Sequence, residues 1–322
     1  MIRMIVIVIL MALSINISAE ENDKILYLMG WSPDERYIGL RYSDRLDIVD
    51  ADSMEVIFSI FFTSLKWSYY IHWSPSGDKF AIIFNDSTVD VLETETWQVL
   101  YALEEYPKDS DYHEGPWVSW SSDGQYLYTK YGGADINHIV MKWDADTGEK
   151  LTEYPDFGYL SWQPQGDYVV MTVVYWIDLL DAITLNQIGE LELPNDDRNN
   201  YQTSGLAWSP DGNYLVLGYS NGAVRIWNLQ TQKIEVEFVL RMNDAERTME
   251  FDNSIAYHSS GSCLAISTYV YIMSFDLDSP GYRITEWDTS NWEMIVMREL
   301  PEDAIIARLS PSGTQLLYLT ED

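Results

Sequence analysis

A short motif divides the chain into repeats of similar length. In each repeat an aromatic or apolar residue precedes a variant of Ser-Pro-Asp-Gly, and successive copies begin 42 to 52 residues apart. The copies begin at Trp31, Trp73, Trp120, Trp162, Trp208, Tyr257 and Leu309. Such self-similarity predicts seven copies of one supersecondary unit rather than several unrelated domains.

The residues on either side of each motif predict two strands joined by a tight turn. Apolar residues alternate before the motif, as at Leu206 and Trp208, and a second apolar run follows it, as in Lys79–Phe84. Proline presets the first corner of the turn, Asp or Ser can bond its own backbone, and glycine takes the left-handed position. We therefore interpret the motif as structural and assign it no chemistry.

The second half of each repeat predicts two more strands. A third apolar run, such as Ala223–Trp227, leads into a polar turn such as Asp144–Gly148, and a fourth run such as Val56–Phe62 follows. Four strands in every 40 to 50 residues are typical of a propeller blade. The predicted fold class is an all-β propeller of about seven blades, each with four antiparallel strands.

The third strands carry the residues of a known family. Trp143-Asp144 and Trp287-Asp288 match the dipeptide that names the WD-repeat (tryptophan–aspartate) β-propellers, and Trp227-Asn228 nearly matches it. On these residues the chain resembles a divergent member of that family over residues 25–319. The family's Gly-His dipeptide is absent, so we expect its His–Ser–Trp–Asp hydrogen-bond network to be missing. The Tol-type and prolyl-peptidase propellers share the turn motif and stay open as alternatives.

The last blade is predicted to be incomplete. The seventh repeat supplies two strands, about Ala304–Leu309 and Gln315–Leu319, before Asp322. Family propellers usually close by pairing strands from both chain ends in one blade. We expect the last blade to have two strands, or three if the N-terminal segment contributes one.

The N-terminal segment has the pattern of a secretory signal peptide. A basic start at Arg3 is followed by an uncharged apolar run and by Ala19 before an acidic stretch. We predict a signal peptide over residues 1–19 and a single propeller domain over residues 20–322. An uncleaved anchor and a buried strand at Met4–Leu10 are the alternatives. Export would place the protein in the periplasm, outside the cell or on its surface, with no membrane span after cleavage.

Composition restricts the classes of partner and site. The 322 residues include 51 Asp and Glu against 19 Lys and Arg, a formal charge of −32. This charge repels phosphate backbones, so we expect no nucleic-acid partner. With one cysteine, the chain cannot form an internal disulfide or a cysteine-built metal site.

Acidic and aromatic residues are concentrated in long segments between blades. Residues 104–116 and 194–203 combine carboxylates with tyrosines, and residues 63–70 add Trp and Tyr. Carboxylates beside aromatic rings suit a cationic ligand or a basic peptide. The candidate partner-binding residues are Trp67, Tyr106, Asp109, Asp111, Tyr112, His113, Asp196, Asp197 and Tyr201.

These observations predict an exported, non-enzymatic propeller that binds a protein or a basic peptide. No catalytic motif is found in the sequence, so we expect no catalytic residues and no cofactor, with calcium as the alternative. Two other hypotheses remain: a hydrolase with a metal or carboxylate site at the central channel, and a last blade completed by a partner's strand. The sequence leaves the oligomeric state undetermined.

Overall fold

The computed structural model describes most of the repeat region and one short N-terminal segment. The described residues are 11–15, 27–63, 68–103, 117–131, 139–155, 158–164, 166–173, 176–191, 203–219, 222–240, 248–271, 281–300 and 304–320. Over these ranges the chain is all-β, with six four-stranded antiparallel sheets and one three-stranded sheet. The predicted propeller class, with an incomplete last blade, is confirmed. No long apolar helix that could cross a membrane occurs in this part of the chain.

The chain divides into two compact units, and the first spans Ala19–Asn199. It contains four sheets, in each of which the strands pair in chain order. The sheets are β2 (Tyr27–Trp31), β3 (Tyr37–Arg41), β4 (Arg45–Asp50) and β5 (Val56–Phe61); β6 (Ser68–Trp73), β7 (Lys79–Phe84), β8 (Val89–Glu93) and β9 (Val99–Leu103); β10 (Trp117–Trp120), β11 (Tyr126–Tyr131), β12 (Ile139–Asp144) and β13 (Lys150–Pro155); β14 (Tyr159–Trp162), β15 (Tyr168–Val173), β16 (Trp176–Asp181) and β17 (Gln187–Glu190).

The second unit combines Asn200–Asp322 with Met1–Ser18. It contains two four-stranded sheets and the three-stranded sheet, in which β1 pairs with β27 and β27 pairs with β26. Its strands are β18 (Thr203–Trp208), β19 (Tyr214–Tyr219), β20 (Ala223–Asn228) and β21 (Lys233–Val239); β22 (Thr248–Tyr257), β23 (Cys263–Tyr271), β24 (Gly281–Asp288) and β25 (Glu293–Glu299); β26 (Ala304–Leu309), β27 (Gln315–Thr320) and β1 (Met11–Ile15).

Within each unit the hydrophobic core lies between neighbouring sheets. In the first unit, Leu46 and Ile48 of one sheet pack with Phe80 and Ile82 of the next, and all four are fully buried. In the second unit, Leu309 and Leu316 pack against Ala265 of the preceding sheet. Burial of apolar side chains between sheets is what stabilises the stacking of blades.

The Ser-Pro-Asp-Gly motif closes on itself, as predicted. In the first copy the Ser32 hydroxyl donates to Asp34 Oδ1 at 2.6 Å and accepts from the Tyr37 N–H at 2.9 Å. Ser209 and Asp211 make the same serine–carboxylate bond at 2.6 Å. The motif's polar side chains are therefore used in holding the turn.

The acid of the Trp-Asp dipeptide also serves a turn. Asp144 Oδ1 accepts from the N–H groups of Asp146 and Thr147, at 3.1 and 2.9 Å, and from the Thr147 hydroxyl at 2.9 Å. These bonds favour the carboxylate and hold the pKa of Asp144 below its ordinary value. The adjacent Trp143 indole donates instead to Thr129 Oγ1 at 2.9 Å. In this blade the tryptophan and the acid thus make separate local bonds.

The last sheet has three strands, one of them from the N-terminal segment. β26 and β27 form an antiparallel hairpin, and Met11–Ile15 pair in parallel with Gln315–Leu319. This confirms the expectation of a third strand supplied from the N-terminus. The alternative strand at Met4–Leu10 lies outside the described residues. The signal peptide over residues 1–19 and the single domain over residues 20–322 stay predictions.

Candidate functional site

The predicted partner-binding residues lie outside the described residues. This holds for all nine: Trp67, Tyr106, Asp109, Asp111, Tyr112, His113, Asp196, Asp197 and Tyr201. Their neighbours along the chain are described, however. Ser68 begins β6 directly after Trp67, and Trp117 begins β10 directly after residues 104–116.

Three consecutive blades of the first unit carry an aromatic residue at the same place in the repeat. Tyr70, Trp117 and Tyr159 each stand three positions before the motif tryptophan of their blade. Tyr70 is 61% exposed and Tyr159 is 45% exposed, whereas Trp117 is partly buried. Large aromatic side chains are seldom left exposed to solvent at equivalent positions of successive blades.

We group these three residues with His72, which lies on the same strand as Tyr70, and call the group the aromatic row: Tyr70, His72, Trp117 and Tyr159. The Trp117 and Tyr159 rings meet edge to face, with centroids 5.6 Å apart and planes at 82°. His72 meets the other side of Trp117 at 6.3 Å and 69°. Edge-to-face packing at this spacing is favourable, so the rings fix one another's orientation.

Hydrogen bonds between first strands hold the aromatic row in place. The Trp120 indole N–H donates to the carbonyl oxygen of His72 at 3.2 Å, linking β10 to β6. The Ser119 hydroxyl donates to the carbonyl oxygen of Leu160 at 3.2 Å, linking β10 to β14. Because both bonds end on backbone carbonyls, the three strands are tied together without using the ring faces.

One ring of the aromatic row already faces a cation. Lys130 Nζ lies 3.8 Å from the centroid of the Tyr159 ring. Its strand places Lys130 opposite Trp117 in the β10–β11 register. An ammonium group over a tyrosine face is a stabilising cation–π contact. A positively charged side chain of this chain thus already lies over a tyrosine ring of the aromatic row.

His72 is held neutral within the aromatic row. Burial lowers its pKa from 6.5 to about 4, because the charged imidazolium loses hydration among the strands. His72 is therefore uncharged at neutral pH and acts there as a flat packing surface for Trp117.

The depressed pKa of His72 predicts acid sensitivity. The folded-state pKa lies below the unfolded value, so the unfolded chain binds this proton first as pH falls from 6.5 to about 4. The contribution of His72 to the free energy of unfolding is fully present above pH 6.5. Between pH 6.5 and about 4 it declines by at most about 1.4 kcal/mol per pH unit. His72→Phe should remove this part of the pH dependence while keeping a ring against Trp117.

Urea unfolding of the wild type and His72→Phe at pH 7.5, 5.5 and 4.5 measures the difference. The difference in unfolding free energy between the two proteins should shift in favour of the variant as pH falls. If the free energy of unfolding fell equally with pH in the two proteins, the folded protein would not hold His72 neutral.

No metal site is found in the described part of the chain. Those residues contain no group of three or more His, Cys, Asp or Glu side chains that could hold an ion. The lone Cys263 is buried, and its pKa is raised to about 11, mainly by burial. A buried thiol with a raised pKa is inert, in keeping with the structural role that its place in a strand indicates.

Sequence reasoning missed most of the aromatic row. It singled out the segment at residues 104–116 but not Trp117, which follows it. Tyr159 and Lys130 were missed entirely. Aligning the blades on the motif tryptophan would have revealed the aromatic at the third position before it in three successive repeats.

A family model matches the region around the fourth and fifth blades. Residues 160–251 match the model of the anaphase-promoting complex subunit 4 WD40 domain. This match begins in β14 of the first unit and ends in β22 of the second, so it includes strands of both units.

Curated relatives match parts of the chain at low identity. Minichromosome loss protein 1 of Schizosaccharomyces pombe is 33% identical over 97 residues, which are 29% of this chain and 11% of that protein. The WD repeat and HMG-box DNA-binding protein 1 of Xenopus laevis is 26% identical over 174 residues, or 51% of this chain and 15% of that protein. The matches thus span only a small part of the length of these relatives.

Proposed function

Because the chain is a WD-repeat β-propeller, we propose that it serves as a protein-interaction scaffold whose acidic and aromatic surface takes a basic peptide. Propellers of this kind present many loops on a rigid framework, which suits binding more than any one chemistry. The observation that carries the proposal is the aromatic row, whose Trp117 directly follows residues 104–116 along the chain.

The contact between Lys130 and Tyr159 indicates how a basic partner would be held. A lysine of this chain already lies over the Tyr159 ring at 3.8 Å. A lysine or arginine of a partner could make the same contact with an exposed ring such as Tyr70. Neighbouring carboxylates would add long-range attraction, which speeds association and favours basic partners over acidic ones.

The structural use of many acids sharpens this proposal. Asp34, Asp144 and Asp211 are bonded within their own turns, so their charge is explained by the fold. Residues 104–116 contain no copy of either turn motif. We therefore assign partner selection to Asp109 and Asp111, whose charge the turn motifs do not explain.

Fluorescence anisotropy with a labelled octa-arginine peptide tests the proposal on the full chain. We expect Asp109→Asn/Asp111→Asn to weaken peptide binding about 3- to 10-fold at 0.05 M salt, and less at 0.5 M salt because exposed charges are screened. Tyr70→Ala should weaken binding about 2- to 10-fold, since it removes an exposed aromatic ring to which a cation can bind.

A matched control separates a site from the general acidity of the chain. Asp52→Asn/Glu55→Gln removes the same charge from an exposed turn between β4 and β5. It should leave peptide binding within about twofold of the wild type. If the control weakens binding as much as Asp109→Asn/Asp111→Asn does, the peptide is held by net charge and the proposed surface is wrong.

A further inference from the structure

The last sheet takes its third strand in an unusual way. In the six four-stranded sheets the third strand runs antiparallel to the second and follows it along the chain, as β24 follows β23. In the last sheet β1 takes the corresponding place beside β27, but it runs parallel to that strand. Five consecutive residues pair, from Met11 with Gln315 to Ile15 with Leu319.

The β26–β27 hairpin has its own packing against the preceding sheet. Leu309 and Leu316 are buried with Ile284 and Ala265 of that sheet, and Leu317 is fully buried. The hairpin is therefore anchored through contacts that its own residues and the preceding sheet supply. Its outer edge is a preformed row of backbone donors and acceptors, which is what an added strand needs.

The strand on that edge is well suited to replacement. Parallel pairing is slightly less stable per residue than antiparallel pairing, and β1 reaches the edge from a distant part of the chain. The six four-stranded sheets show that the same blade position takes an antiparallel strand. Met11–Ile15 also lie within the segment predicted to be a cleaved signal peptide. If the signal peptide is cleaved, these residues are removed and cannot pair with β27.

We propose that the outer edge of β27 is a strand-acceptor site that takes an extended apolar segment of a partner protein in place of Met11–Ile15. The partner segment would have five or six residues, rich in Leu, Ile and Val and free of proline, like this chain's own third strands. The inference rests on the proposed scaffold function and adds a second kind of partner contact, made by backbone hydrogen bonds rather than by charge.

The test uses the full chain and a labelled peptide copying residues 9–17. Leu13→Pro removes a backbone donor from β1 and should free the edge, so peptide affinity should rise at least about 10-fold over the wild type. Ser14→Cys/Tyr318→Cys joins two residues that face each other in the register, and the resulting disulfide should abolish peptide binding. Reduction of the disulfide should restore wild-type binding.

Controls define which results overturn the proposal. A peptide with proline in place of Leu13 should not bind, and Asn22→Pro in the protein should leave affinity unchanged. Failure of a folded Leu13→Pro protein to bind the peptide, or peptide binding that persists once the disulfide has formed, would show that the edge is not an exchangeable acceptor. If Leu13→Pro does not fold, the wild type and the disulfide variant provide the test. Peptide binding to the wild type that the disulfide blocks supports exchange, whereas no binding to the wild type rejects it.

A separate measurement keeps this inference distinct from the scaffold proposal. Octa-arginine binding should be the same in the wild type, Leu13→Pro and the disulfide variant, because the aromatic row lies in the other compact unit. Loss of strand exchange with intact octa-arginine binding rejects the acceptor edge alone. Loss of octa-arginine binding in the wild type rejects the basic-peptide surface.

Discussion

Phe80→Ala is expected to lower the free energy of unfolding by about 3–5 kcal/mol. Phe80 is fully buried at the centre of the core between the first two sheets of its unit. Its ring lies 5.1 Å from that of Trp73 and 5.7 Å from that of Trp97. Truncation removes the apolar burial and leaves a cavity that two rigid sheets cannot close.

Urea denaturation followed by tryptophan fluorescence measures this loss, with Phe61→Ala as the control. Phe61 is 72% exposed at the end of β5, so its truncation should change stability by less than about 0.5 kcal/mol. A cost below about 1 kcal/mol for Phe80→Ala would mean that these two sheets do not share the close-packed core described for them.

Gly148→Ala is expected to cost about 2–4 kcal/mol for two reasons that add. Gly148 has φ of +72°, a conformation that residues with a Cβ rarely adopt. A Cβ at this position would also lie 2.5 Å from Cδ2 of Tyr101, in the neighbouring sheet. That ring is held in place because its hydroxyl donates to the carbonyl oxygen of Ala145 at 2.8 Å.

Gly124→Ala separates the two contributions. Gly124 has φ of +70°, but its added Cβ would meet nothing closer than Pro75 Cδ at 3.8 Å. This control should cost only the backbone strain, about 1–2 kcal/mol. Adding Tyr101→Leu to Gly148→Ala should recover part of the excess, a non-additivity that urea denaturation of the double variant would measure. Equal costs for the two glycines would exclude the Tyr101 contact as a constraint.

The blades were predictable because local chemistry fixes each of them. The motif at Trp73–Gly77 and the strand Lys79–Phe84 are specified by a turn and an alternation within a dozen residues. The predicted bounds of Lys79–Phe84 and Ala304–Leu309 agree with the structure. Those of Val56–Phe62 and Ala223–Trp227 differ from the structure by one residue at their ends.

The candidate site was less predictable because it depends on neighbours in different repeats. Trp117 meets Tyr159 of the next blade and His72 of the preceding one, and neither contact follows from sequence proximity. Charge was easier to detect than placement, so sequence reasoning pointed to Asp109 and Asp111 and overlooked Trp117 and Tyr159. The sequence also did not predict that β1 runs parallel to β27, because the pattern of an apolar segment is compatible with either strand direction.

The pairing of β1 with β27 also sets the order of events as the chain is made. The two strands are separated by about 300 residues, whereas the other strand pairs of the described ranges each lie within one repeat. At about 5–20 residues per second, synthesis delivers β27 some 15 to 60 seconds after β1. For that interval Met11–Ile15 have no edge to join, so any factor that recognises an apolar N-terminal segment has the first opportunity to bind them. The N-terminal segment is thus accessible to such a factor before the final blade exists, whereas its pairing with Gln315–Leu319 must wait until those residues have been made.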